Sequence, residues 1–433
     1  MDEALTSAWS LLTQSPWSLL FSIFWFVIIF EIPRYCVSFI AAASLYRKIQ
    51  RIPLTPERIP NIAKISVILV GHNEAATLWG SVMSVRAQIA TLPAGMSAEI
   101  ICVSDGSTDS SPSLIRHLKN QNLIDVGLVC DLRGGKAAAL NLAARLASGE
   151  IFVTLDCDSR LEPNALLHIL APLCDPSVGA VAGHIEVGNA KASVATALQA
   201  IEYSLTIMLS KTLMSAFDQV TIVSGAFGAF RRSAWEHVSG CDAGSGEDLD
   251  LTLRLREAGY RIAFAPSAVC ATRTPTTFQA LFRQRCRWER DAMWIRLRKH
   301  GATCNPFHAR FQIKEAVHQA EFILFNILGA VIFPFYVIML LVSYHDILPM
   351  IALSALGMAW CVDLVNFTCL IFADPERAPK RLRLLPFMLI YSPFQTIALK
   401  LVRLYAYVDE LAFSGSATDD FVPRKVNLCA RWR

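Results

Sequence analysis

Ile151-Phe152-Val153-Thr154-Leu155-Asp156-Cys157-Asp158 is the stretch that decides the fold. Its first five residues are a short apolar run with β-branched members, the pattern of a strand buried in a parallel sheet. Two carboxylates, one residue apart, then stand where the strand has to end. Core packing gives no reason for them. In open α/β sheets, ligands bind beyond the carboxyl ends of the strands. Hard divalent cations carrying phosphates favour carboxylate oxygen. The pair therefore predicts a site for a metal and a nucleotide diphosphate, with a solvated turn as the plain alternative.

Outward from this stretch, strand and helix patterns alternate. Lys64 to Val70 predicts a strand that breaks at Gly71, and Ala75 to Ala90 has helical spacing. Glu99 to Ser104 predicts a second strand, Pro112 to Asn120 a helix, Asp125 to Cys130 a short strand and Ala137 to Ala147 a helix. Such alternation predicts an α/β fold, a mostly parallel sheet with helices on both faces. The strand ends at 70, 104 and 155 all lead into polar residues, which sets them along one crevice.

Each polar segment has a structural and a functional reading. Asn73-Glu74 can hold a base or ribose, or it can cap the next helix. Asp105-Gly106-Ser107-Thr108-Asp109 forms a tight turn that can cap the helix near Pro112, but capping leaves Asp105 unexplained. Arg133-Gly134-Gly135-Lys136 offers glycine N–H groups, a helix N-terminus and an ammonium, which suit a phosphate although the Walker spacing is absent. In Ser245-Gly246-Glu247-Asp248-Leu249-Asp250, the helix dipole accounts for one or two of three carboxylates. One of them is a candidate general base if burial or a like charge raises its pKa. Phe278 to Lys299 is a basic helix with interleaved aromatics, suited to a membrane interface. Within it Gln284, Arg287 and Trp288 fall at i, i+3 and i+4 and share a face. An amide, a guanidinium and an indole there suit a diphosphate and a sugar ring.

The 433 residues are 54% hydrophobic and only 18% charged, against ~25% charged in a soluble domain. The apolar excess lies in Ser18 to Phe30, Phe322 to Val342, Ile347 to Phe372 and Leu384 to Val402. Each reaches or approaches the ~20 residues that span a bilayer. The first run continues through Pro33 into Tyr35 to Tyr46, and is read as one membrane helix leaving the bilayer near Pro33. A tight hairpin is the alternative; a cleaved signal peptide is disfavoured by Asp2 and Glu3. Arg34, Arg47, Lys48 and Arg51, with Arg377, Lys380, Arg381 and Arg383, place residues 47 to 320 in the cytoplasm. Four crossings then put the tail outside, in conflict with its Arg424, Lys425, Arg431 and Arg433. The net charge of +4 resides in these flanks and does not suggest nucleic acid. The twelve cysteines lack a CxxC pair or Cys/His ligand spacing, and read as buried thiols.

The order of motifs is Asn-Glu, Asp-Gly, Gly-Lys, Asp-x-Asp, Gly-Glu-Asp and Gln-x-x-Arg-Trp, flanked by spans. It resembles the membrane-embedded family-2 glycosyltransferases that polymerise sugars: cellulose, chitin, hyaluronan and poly-N-acetylglucosamine synthases. The likeness covers roughly residues 61 to 300. Val223 to Phe227 and Phe230-Arg231-Arg232 look most like the last group. The resemblance implies a GT-A fold joined to α-helical transmembrane segments. It implies that Asn73, Glu74 and Asp105 contact uridine, that Lys136 and Asp156 hold the nucleotide and its phosphates, and that Asp158 ligates Mg2+ or Mn2+. Asp248 is implied as the base. Gln284, Arg287 and Trp288 would bind the pyrophosphate and place the acceptor sugar, with Ser224, Gly225, Ala226 and Phe227 lining the acceptor end. Many relatives have Thr where Gly246 stands, so a local contact is expected to be lost.

The expected protein is an inverting, processive transferase in the inner (plasma) membrane with its catalytic domain in the cytoplasm. It would use a UDP-sugar and a polysaccharide acceptor, with coupled export completed by a second copy or an accessory subunit. The alternatives are single addition to a lipid, as in ceramide glucosyltransferases, and a non-catalytic export or nucleotide-sensing subunit. The expected organisation is a membrane anchor over 1–50 with one span at about 16–33, and a catalytic domain over 51–275. Interfacial helices over 276–320, about three membrane helices over 321–410 and a tail over 411–433 follow.

Overall fold

The computed structural model describes residues 2–50, 55, 59–242, 244–419 and 421–429. Arg51, Arg431 and Arg433, and the side chains of Arg47 and Lys48, lie outside the described residues. Eight strands form one sheet: β1 (Lys64–Gly71), β2 (Ser97–Asp105), β3 (Val126–Cys130), β4 (Ile151–Asp156), β5 (Arg160–Leu161), β6 (Val178–Val187), β7 (Phe227–Arg231) and β8 (Arg261–Thr272). Their order is β3-β2-β1-β4-β7-β6-β8-β5. The first four strands in that order are parallel, as the alternating pattern required. β7 runs antiparallel to both β4 and β6, while β6 and β8 are parallel. Register aligns Val70 with Asp156 and Gly71 with Ser104, so the ends of β1, β2 and β4 open on one edge.

Pleating divides the core. Ile65, Val67 and Leu69 face one apolar cluster with Val153 and Leu155. Ile68, Val70 and Phe152 face the other, under the helix Lys136–Leu146. That second cluster continues through Tyr46, Phe367, Leu370, Tyr391 and Phe394, so sheet and apolar helices share one core.

Among the described residues, four helices are long and apolar enough to cross a membrane: Trp17–Tyr46, Ile313–Ser343, His345–Ala373 and Leu385–Phe413. The first runs unbroken through Pro33 by way of a π-helical stretch, Val27–Val37, so it is neither a hairpin nor ended at Pro33. The wider turns absorb the amide that proline lacks. The third ends at Ala373, where Arg377 pairs with Glu162 and Glu186 of the catalytic domain at 2.7 and 2.6 Å. The fourth also makes polar and aromatic contacts outside the apolar helices. Near its start the Tyr391 hydroxyl lies 3.4 Å from that of Thr206, and Phe394 packs on Phe278. Towards its end Arg403 and Tyr407 reach Glu289 at 2.9 and 2.7 Å, and Asp409 pairs with Arg290 at 2.9 Å. Both ends therefore touch the catalytic domain and its interfacial helix Phe278–Trp294.

Candidate active site

The loops after β1 and β2 build one wall. Asn73 adopts φ 61°, and its Oδ1 accepts the N–H groups of Thr108 and Asp109 at 2.8 and 3.3 Å. Asp109 in turn accepts from Ala75 N–H at 3.1 Å, at the start of the helix Ala75–Ile89. The capping residue of that helix is thus Asp109 from the neighbouring loop, and Asn73 serves to tie the two loops together. Asp105 is 5% exposed. Its two oxygens accept Gly134 N–H at 2.7 Å and Gly135 N–H at 2.8 Å. The glycine loop therefore directs these donors at Asp105, and they are not open to a phosphate. What the loop does present is Lys136.

Lys136 is the electrostatic centre. Its ammonium pairs closely with Asp156 and lies 3.9 Å from Glu247. Burial opposes its charge, but Asp156 and then Glu247 outweigh that and hold it protonated well above the ordinary lysine range. Asp158 accepts from Ser159 and Thr272, each at 3.2 Å. Burial, then the charges of Asp156 and Glu74, push its carboxyl up to about 6. Burial also raises Glu74, whose carboxylate accepts from Thr77 at 2.9 Å. Asp158 thus sits in an excess of negative charge with hard oxygen donors, which suits a divalent cation. No group of three or more His, Cys, Asp or Glu side chains among the described residues is disposed to hold an ion alone. Further ligands would have to come from the diphosphate.

The helix Glu247–Glu257 sorts the three carboxylates of its first turn. Asp250 points away, into Arg254, Lys299 and His300 at 2.9, 2.6 and 2.9 Å, and is structural. Glu247 is buried beside Lys136; burial and Asp248 push it up to about 7. Asp248 accepts Gly225 N–H at 3.1 Å through Oδ2. A Cβ on Gly225 would lie 2.5 Å from the Lys136 ammonium and 3.7 Å from Asp248 Oδ2, so only glycine fits between them. The helix begins at Gly246 in the left-handed region, φ 74°. A Cβ there would meet Ile295 at 2.5 Å. The close approach of the interfacial helix explains why Thr is absent, and Ser245 supplies a contact by donating to Asp291 at 2.5 Å.

The interfacial helix begins at Thr277, whose hydroxyl accepts Ala280 N–H at 3.3 Å. Trp288 is 39% exposed, with the Arg285 guanidinium 4.2 Å from its ring centroid. Arg285 is itself fixed by Glu202 at 2.6 Å and offers its Nη1 to Gln284 Oε1 at 3.4 Å. Sequence spacing found the Gln284–Arg287–Trp288 face but missed Arg285 and Glu202, because a buried guanidinium in a basic helix has no local signature. Arg287 carries the ring of Phe421 at 3.6 Å. Arg133 donates to Phe421 O at 2.6 Å, and Arg290 pairs with Asp419 at 2.7 Å. The tail thus straps across the site, a placement no periodicity announced. Ser224, Gly225 and Ala226 form the turn entering β7, whereas Phe227 is 0% exposed, packed against Gly183 in the sheet core. It is a core residue rather than a lining one.

Residues 63–290 match the family described as glycosyltransferase like family 2. A poly-beta-1,6-N-acetyl-D-glucosamine synthase of Staphylococcus aureus (strain COL) is 31% identical over 248 residues, which is 57% of this chain and 58% of the relative. The synthase of the same name from Staphylococcus epidermidis is 30% identical over 256 residues, 58% of this chain and 60% of the relative. The chain thus matches less than two thirds of the length of these curated relatives. Among solved structures, a mannosyltransferase from Pyrobaculum calidifontis, in complex with GDP-Man and Mn2+, superposes with a TM-score of 0.56 at 20% identity. That match covers 89% of this chain and 98% of the mannosyltransferase, and is a likeness of fold.

Proposed function

The chain belongs to glycosyltransferase family 2, and from that premise we propose that it is an inverting, processive enzyme moving sugar from a UDP-sugar to the end of a growing polysaccharide. The observation that carries this reading is the convergence of Asp248 and Lys136 at Gly225. An in-line displacement at the anomeric carbon needs a base on one face and a cation for the departing diphosphate on the other. Asp248 takes the proton of the acceptor hydroxyl. Lys136 and Arg287 face the diphosphate, and Asp156 orients Lys136. Glu74 meets the nucleoside end, where Asn73 and Asp105 shape the loops. Asp158 would hold Mg2+ or Mn2+, which neutralises charge on the leaving diphosphate when bound. Gln284 and Trp288 place the acceptor sugar, with Ser224, Gly225 and Ala226 beneath it.

Processivity is supported by Gln284-x-x-Arg287-Trp288 and by the resemblance to polysaccharide synthases. Purified protein in vesicles, given UDP-sugars and Mg2+ or Mn2+, is expected to make a ladder or high polymer. A product that never exceeds one sugar on a lipid contradicts this. Delivery of polymer across the bilayer, with a second copy or an accessory subunit, belongs to the same proposal.

The contacts of the fourth apolar helix support a membrane placement. Because both of its ends touch the catalytic domain, it lies along the bilayer face, three helices cross, and the tail stays with the catalytic domain in the cytoplasm. Arg424 and Lys425 then no longer conflict with the positive-inside rule. A cysteine introduced at Thr418 is expected to be protected from an impermeant maleimide in intact cells and labelled in inverted membrane vesicles. The opposite pattern returns the fourth helix to a crossing.

A further inference from the structure

We propose that Lys211 is a positioning residue for sugar transfer, holding through Ser224 the turn that presents Gly225 to Asp248. The proposal rests on the reading of Asp248 as the base.

Lys211 lies on the helix Leu209–Ala216, just after the π-helical stretch Tyr203–Met208. Its side chain is buried, with the residue 4% exposed. The ammonium donates to Ser224 Oγ at 2.7 Å, and among the described residues this neutral hydroxyl is its only hydrogen-bond partner. A buried ammonium without a paired carboxylate is costly, and packing alone would favour Leu or Met. The ionisable groups facing it are Asp248 and the Cys270 thiol. Burial draws Lys211 down to about 8, against the pull of Asp248.

The turn it holds is also held at the preceding residue. Val223 N–H donates to Thr252 Oγ1 at 2.9 Å, and that hydroxyl donates to Asp248 O at 2.7 Å. Phe227 N–H closes the turn on Ser224 O at 3.1 Å. Gly225 N–H then reaches Asp248 Oδ2 at 3.1 Å. Lys211 and Thr252 thus hold the turn at Ser224 and Val223, and the Gly225 N–H that follows directs Asp248 Oδ2. The linkage makes no contact with the loops after β1 and β2; it bears on Asp248 directly and on Lys136 only through Gly225, so its loss is expected to fall more on turnover than on nucleotide binding.

The test uses the full-length enzyme in detergent or nanodiscs. Lys211→Met is expected to lower kcat on the order of 10–10²-fold through misdirection of the base, with KM for the UDP-sugar and affinity for UDP unchanged. Ser224→Ala should show the same loss, and the double variant should be no worse than either alone, because both cut one link. Lys211→Arg should recover most of the rate. Wild-type kcat in Lys211→Met, losses that multiply in the double variant, or a loss confined to donor binding overturns the proposal. Should Lys211→Met fail to fold, Ser224→Ala decides, since it removes only a half-buried hydroxyl. Asp248→Asn, run alongside, separates the two claims. If it is inactive while the Lys211 and Ser224 variants turn over normally, only the positioning role falls. If it turns over normally, the base assignment falls and takes this inference with it.

Discussion

Replacing Asp248 by Asn is expected to cut sugar transfer on the order of 10²–10⁴-fold, with UDP affinity close to wild type. Asn has nearly the same shape, and its amide oxygen can still accept Gly225 N–H, which Asp248 does at 3.1 Å. What it cannot do is take a proton from the acceptor hydroxyl. The neighbours do not substitute. Asp250 is committed to Arg254, Lys299 and His300. Glu247 is buried against Lys136 and held at about 7 by burial and Asp248, so near neutral pH it is partly protonated. Initial rates of UDP release with calorimetric UDP binding check the prediction. Normal turnover in the variant would move the base to another residue.

Lys136→Met is expected to lower kcat/KM on the order of 10²–10³-fold, the scale set by loss of one preorganised charge at a leaving group. Here nucleotide affinity should fall with the rate. Lys136 is the cation among Asp156, Glu247 and Asp248, and without it those carboxylates repel one another and the incoming diphosphate. Lys136→Arg should not rescue, because a branched guanidinium has no room where even a methyl on Gly225 would lie 2.5 Å from the ammonium. UDP affinity and steady-state rates for both variants provide the check. Unchanged UDP binding in Lys136→Met would remove the lysine from the diphosphate site.

The half of the sheet that carries the nucleotide-facing loops was legible because each strand there is a short apolar run ended by a polar residue. The register confirms that Asp105 and Asp156 end the two strands that flank β1. None of β5 to β8 was anticipated: β5 has only two residues, the reversal of β7 leaves no periodic trace, and the longer β6 and β8 were not recognised. Roles that depend on which way a side chain turns were beyond the sequence. Asp105 and the Gly134-Gly135 donors satisfy each other, and Asn73 bonds across to the next loop. Phe227 turns into the core, although it is one residue from the lining turn. The tail and the fourth apolar helix show the same limit at larger scale. Hydropathy recognises length and composition, whereas the contacts of Asp409, Asp419 and Phe421 with the catalytic domain are set by tertiary packing.

The most direct test of the account is UDP release by the purified full-length protein, offered a panel of UDP-sugars with Mg2+ or Mn2+. The account predicts that at least one UDP-sugar yields UDP in step with sugar incorporation, and that Asp248→Asn abolishes both while still binding UDP. Absence of UDP release from every sugar nucleotide, or release that is indifferent to Asp248, would contradict it.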